Sequence, residues 1–170
     1  MWQCRAMPYT IAATALAASL LALPGMAAGA DSPPQPCRGA ETDDVSRAIP
    51  ESLVPAAVPL FGLQEMPTEQ VRRSTVYRCA AGLTLVCNLG ANLPCGKANT
   101  SRALPEADRW CAENPGSDFI PMYVTGHDTI YRWRCQGAKA ETTGEPLEID
   151  RQGFISRYWK PADAAANPRR

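Results

Sequence analysis

Apolar and polar residues alternate most clearly in three stretches of this chain, and each alternation predicts a β-hairpin. Residues 75–79 and 83–87 read as two strands joined by a turn at Ala81-Gly82, with β-branched and aromatic residues in the strands and Gly82 supplying the turn. A two-residue loop sets Cys79 opposite Thr84 and Val76 opposite Cys87. Facing alternates along a strand, so Cys79 and Cys87 point to opposite faces and need different partners. Residues 119–125 and 129–135 predict a second hairpin around Gly126-His127-Asp128. Residues 148–150 and 154–160 predict a third around Arg151-Gln152-Gly153. The run Thr75-Val76-Tyr77-Arg78 echoes Thr129-Ile130-Tyr131-Arg132. Two core strands converging on one pattern explain the echo more simply than a duplicated hairpin.

Residues 105–113 break the period of two and predict a short helix. Pro105 sits at its start, Glu106 and Asp108 fall in its first turn, and Asn114-Pro115-Gly116 ends it. Such a helix is too short to be stable alone, so Cys111 is expected to pin it down. Between the first hairpin and this helix, residues 88–101 form a long loop rich in Gly, Asn and Pro that contains Cys95.

Before the first hairpin the pattern changes. Residues 31–70 read as a proline-rich arm; seven prolines between 33 and 67 remove amide donors and forbid long helices or central strands. Its start, 31–44, is expected to be extended and mobile. Its apolar part, 54–66, is expected to pack on the domain, and Cys37 to tether it covalently. A disulfide-stabilised globular domain is predicted over 71–160 and a disordered tail over 161–170. The fold class expected is α+β, small, mostly antiparallel hairpins with one short helix.

Residues 1–30 carry the three parts of an export signal: a short start whose only charge is Arg5, a thirteen-residue apolar run over 11–23, and the small residues Ala28-Gly29-Ala30. Cleavage is expected after Ala30. The run is shorter than the roughly 20 residues a spanning helix needs, so no stable membrane insertion is expected after cleavage. Composition adds little more. The 17 basic and 17 acidic residues balance, which excludes a global basic field for nucleic acid.

Of seven cysteines, Cys4 falls in the signal. That leaves Cys37, Cys79, Cys87, Cys95, Cys111 and Cys135, an even set that predicts three disulfides and a periplasmic or secreted location. Fifteen pairings are open; a Cys95–Cys111 bridge tying loop to helix is the one expected. There is no C-x-x-C pair and no second histidine, so no metal site is expected, and neither haem nor any other cofactor. Gly96-Lys97 lacks the spacing and the Ser or Thr of a phosphate loop. Asn99-Thr100-Ser101 fits a glycosylation acceptor in a eukaryotic secretory route.

Candidate chemistry is sparse. His127 beside Asp128 in a turn could serve as a general base, although both are also ordinary turn residues, so they stand as weak catalytic candidates. Alternation puts Arg132 and Arg134 on one strand face, with Tyr131, Trp133 and Cys135 on the other. Together with Arg157 and Trp159 they form the expected ligand-binding set, the arginines for acidic groups and an exposed tryptophan for stacking. Solvated arginines over an ordinary core are the plainer alternative.

Tyr77-Arg78-Cys79-Ala80-Ala81-Gly82 resembles the aromatic-x-Cys-x-x-Gly opening of small periplasmic C-type lysozyme inhibitors. The resemblance implies a disulfide-stapled antiparallel β-barrel that inserts a loop into the lysozyme cleft. It covers six residues of 170. The Ser-Gly-rich inhibitory loop is missing, so no inhibitory residue carries over. The expected function is non-enzymatic binding of a protein or acidic envelope polymer. The alternatives are inhibition of a secreted hydrolase and a small envelope enzyme using His127.

Overall fold

A computed structural model describes residues 36–90 and 93–165; the export signal expected over 1–30 lies outside the described residues. The chain is α+β, with four helices and two small antiparallel sheets among the described residues. The first sheet has the order β1-β2-β3-β6, from β1 (Arg47–Ala48), β2 (Thr75–Ala80), β3 (Leu83–Asn88) and β6 (Lys160–Pro161). The second pairs β4 (Arg132–Gln136) with β5 (Lys139–Thr143). The helices are α1 (Val54–Phe61), α2 (Thr68–Ser74), α3 (Pro105–Glu113) and α4 (Met122–Thr125).

The β2–β3 hairpin forms in the expected register, Cys79 opposite Thr84 and Val76 opposite Cys87. Its two-residue turn has positive φ at both places, 51° at Ala81 and 77° at Gly82. That geometry matches the right-handed twist of the strands, and glycine adopts it freely while alanine is strained there. One face of the hairpin, with Tyr77 and Val86, packs on Leu53, Val54, Ala57 and Val71 of the helical layer and on Ala162. The other face, with Val76, Leu85 and Cys87, packs on Phe154 and Trp159.

The proline-rich stretch therefore helps to build the core. Pro55 sits in the first turn of α1, where a missing N–H costs nothing, and Gly62 (φ 68°) caps its end. Pro59 lies inside the helix and removes one of its hydrogen-bond donors. The start of the arm is fixed by Asp43, which accepts the amide of Cys79 and pairs with Arg47. Both contacts are made to the charged carboxylate and hold its pKa below the ordinary value, the arginine pair contributing most. The expected tail is ordered at its beginning: Lys160–Pro161 pairs with β3, and Ala162 is buried.

The disulfides are Cys37–Cys79, Cys87–Cys95 and Cys111–Cys135. Cys79 and Cys87 take separate partners on opposite faces. The Cys95–Cys111 bridge does not form, because Cys95 turns back to the strand eight residues before it. Cys111 faces β4 instead and pins α3 through Cys135. In the chain-entropy treatment, rings of these lengths contribute about 2–4 kcal/mol each, as large a share of net stability as many cores supply. Such bridges belong to a protein that matures outside the reducing cytoplasm.

Two expected hairpins change form. Residues 119–125 are not a strand, because Pro121 opens the one-turn helix α4 and its carbonyl accepts the amides of Val124 and Thr125. β4 pairs forward with β5 through a two-residue loop, where Gly137 takes φ 60°. The Thr75–Arg78 and Thr129–Arg132 runs are not equivalent: the first lies wholly in β2, whereas only Arg132 of the second lies in a strand. In the third hairpin the ladder stops at Ile149–Ile155, and the chain then enters a 3-10 turn over Ser156–Tyr158.

Arg78 carries the main constraint on the core. It is 1% exposed, on the β2 face that meets the last segment. Its guanidinium lies 4.3 Å from the centroid of Phe154 and 4.6 Å from that of Trp159, and donates to Asp150. Nε and Nη1 have no acceptor among the described residues. Asp150 also accepts the amides of Gln152 and Phe154, so one carboxylate shapes the turn and neutralises the cation.

Asp150→Asn keeps the turn acceptor but strands a buried charge. We expect a loss of about 3–5 kcal/mol in denaturant unfolding, largely recovered when Arg78→Met is added. Arg78→Met alone losing as much as Asp150→Asn, with no recovery in the pair, would contradict this account. Ala81→Gly should raise unfolding free energy by about 0.5–1 kcal/mol, the strain relieved less the added chain entropy.

Candidate functional site

A cleft of about 490 Å³ opens between β4, the segment before α4, residues 143–147 and the Ser156–Tyr158 turn. Its floor is apolar. Ile120, Ile130 and Trp133 are all buried, and the Trp133 indole donates to Thr129 Oγ1 at 3.1 Å. The wall forms because residues 117–120 run beside β4: Ile120 donates its amide to the Trp133 carbonyl, and Cys135 donates to that of Ser117. This places Ile120 inward and leaves Phe119 at the rim, 61% exposed. Met122 is partly exposed beside it, with Leu147 and Tyr158 on the remaining sides. A contiguous exposed apolar rim over an apolar floor marks a binding surface more than scattered apolar residues do.

Charge is distributed around this apolar centre. Arg132 and Arg157 bring two cations, Asp118 and Glu145 two anions, and His127 lies at the edge. None of these five takes part in a salt bridge among the described residues. Tyr131, also lining the cleft, is held by Arg102, whose guanidinium lies 4.6 Å from the ring centroid.

The expected site residues separate into three groups. Arg132, Arg157 and His127 come together in the cleft. Arg134 shares the exposed face of Arg132 but is paired across the sheet with Glu141. Trp159 is only 6% exposed and packs edge-on against Phe154, so it belongs to the core and does not serve as a stacking platform. Its expected exposure assumed a strand through 154–160, whereas the 3-10 turn rotates Arg157 outward and Trp159 inward.

His127 and Asp128 do not act on one another. No hydrogen bond joins the imidazole to a described residue, and the Asp128 carboxylate folds over Gly126, where an added Cβ would meet Oδ1 at 2.6 Å. The Asn88–Ser101 loop positions this turn: Asn99 donates its amide to the Asp128 carbonyl and accepts that of Ile130. Lys97, from the Gly96-Lys97 pair, is engaged by Asp44 and the Gln152 carbonyl and lies against the Phe154 ring. Among the described residues no group of three His, Cys, Asp or Glu side chains could hold a metal ion, and no helix is long and apolar enough to cross a membrane.

Phe119, Met122, Leu147, Tyr158, Asp118 and Glu145 were not singled out from the sequence. Pro121 was the available signal, since proline inside a supposed strand argues against that strand. Comparisons with known protein families, with the curated proteins and with the solved structures found no match. The six residues that resemble a lysozyme inhibitor build the end of β2, one disulfide and a tight turn, in open sheets that do not form the implied barrel.

The strand paired with the one that carries Arg132, β5, is held to α3 by Asp108. Its Oδ1 accepts the amide of Ala140 at 2.9 Å and its Oδ2 the Lys139 ammonium at 3.2 Å. The Ala140 bond first, then the lysine, keeps the folded-state pKa of Asp108 below its ordinary 3.8. A carboxylate with a depressed folded pKa stabilises fully above its unfolded pKa and loses that contribution as pH falls through the folded value. Wild-type protein should therefore exceed Asp108→Asn in urea midpoint at pH 7, and the gap should close in acid below 3.8. A gap independent of pH would refute the role of the charge.

Proposed function

We propose that this is an exported, non-enzymatic binding protein of the periplasm or extracellular space. Its ligand, a partner protein or envelope polymer, is taken in the cleft between β4 and the Ser156–Tyr158 turn. The observation that carries the reading is one cavity joining an apolar floor and rim to charged groups that have no ion-pair partners among the described residues. Such groups are free to form hydrogen-bonded ion pairs with a ligand as the apolar rim is desolvated. The disulfides and the export signal agree with this location.

A second reading, inhibition of a secreted hydrolase, has a separate observation behind it. Leu89 and Leu93 are each 44% exposed, in a loop that the Cys87–Cys95 bridge closes. Closing a loop with a disulfide lowers the entropy it has left to lose on entering another protein's cleft.

The binding reading is tested by capture from a native envelope fraction with the oxidised protein and with Phe119→Asp/Met122→Asp. Both side chains are exposed, so the variant should melt as the wild type does while its capture falls about tenfold or more. Equal capture by the two proteins counts against the cleft. His127→Ala should leave capture within a few-fold of wild type. A catalysed turnover lost in that variant at unchanged melting temperature would refute the non-enzymatic reading. Stoichiometric inhibition of a lysozyme or protease, abolished by Leu89→Asp, would favour the second.

A further inference from the structure

We infer that the occupant of the cleft is a polypeptide segment carrying both charge signs around a large apolar side chain; this rests on the binding reading above. The argument is charge complementarity. Arg132 and Arg157 offer planar donors suited to a carboxylate, while Asp118 and Glu145 in the same cavity accept from an ammonium or guanidinium. All four lack ion-pair partners among the described residues. A uniformly anionic polymer would meet two carboxylates for every two arginines, and like charges brought together at a desolvating surface oppose binding. The rim residue Phe119 offers an apolar side chain a partner in the same cavity. A polypeptide supplies all three elements within a short length; a polymer of repeating acidic sugars supplies one.

His127 is the only histidine in the chain and lies at this cleft, so its carbon-bound ring protons report occupancy at a single site. The probes are nonapeptides in which one lysine and one glutamate flank a central phenylalanine–leucine pair at every spacing. Polygalacturonate is the uniformly anionic comparison, and both are added to the full oxidised protein. At least one peptide should move the His127 signals. Arg157→Glu should weaken its binding about tenfold or more, the loss of one charge-assisted pair. Asp118→Asn/Glu145→Gln should weaken the peptide too, although it makes the cleft more positive.

The inference is overturned if polygalacturonate moves the signals, binds more tightly to Asp118→Asn/Glu145→Gln, and no peptide acts; the cleft then remains a binding site with another occupant. It is overturned alone if no probe moves the signals while envelope capture still depends on Phe119 and Met122. If capture is also insensitive to those residues, the binding reading falls with it.

Discussion

The guanidinium of Arg78 must be removed from water and set against two aromatic rings before this fold can close. An uncompensated buried cation costs several kcal/mol, so the groups that compensate it have to arrive together. They come from one stretch of ten residues more than seventy positions further along the chain: Asp150 from a turn, then Phe154 and Trp159. The same Phe154 ring receives Lys97 from the long loop, and Lys97 reaches Asp44 of the arm. A neutral residue at position 78 would remove the cost and, with it, the requirement that these segments meet in one arrangement.

That constraint reaches the cleft. The cleft lies between two packing units that share little chain. Trp133, Ile120 and Cys111 form the second core, with α3 pinned by its own disulfide. Arg157 and Tyr158 belong to the segment that Trp159 anchors on the first core. The 3-10 turn sends alternate functions in opposite directions, Trp159 inward toward Arg78 and Arg157 outward into the cavity. The position of one wall of the cleft therefore follows from the burial of a cation on β2. The disulfides reinforce the separate units, one on each face of the β2–β3 hairpin and one in the second core.

Much of the first hairpin was legible because every local signal agreed: alternation, β-branched residues, and a two-residue turn with glycine. Register and the separate partners of Cys79 and Cys87 followed from that. Helix α3 was legible to its ends because capping and stop residues bracket it. The β4–β5 hairpin was not, because Lys139–Thr143 is polar and half-exposed, so its alternation carries no strong apolar signal. The helices before β2 were hidden by proline content, which forbids long helices but tolerates an eight-residue one with proline in its first turn. At the site, single-strand alternation placed Arg132 in the open. It could not show that Asp118, Glu145 and Arg157 meet it, because their approach depends on tertiary packing across 40 residues of chain.

Strand register also decides which charges remain available. Arg132 and Arg134 stand two residues apart on one face of β4, and the sequence alone gives them equal standing. Glu141 lies opposite Arg134 and binds it, whereas Thr143 lies opposite Arg132 and cannot neutralise it. A cross-strand pair contributes only tenths of a kcal/mol to about 1 kcal/mol, so Arg134 loses little stability if left alone but is occupied as a donor. Arg132 has no ion-pair partner among the described residues and lines a cavity with an apolar floor, where displacing water strengthens each ionic hydrogen bond that forms. The same two-residue loop at Gly137 that sets the hairpin thus sorts two like residues, one into the surface of the fold and the other into its site.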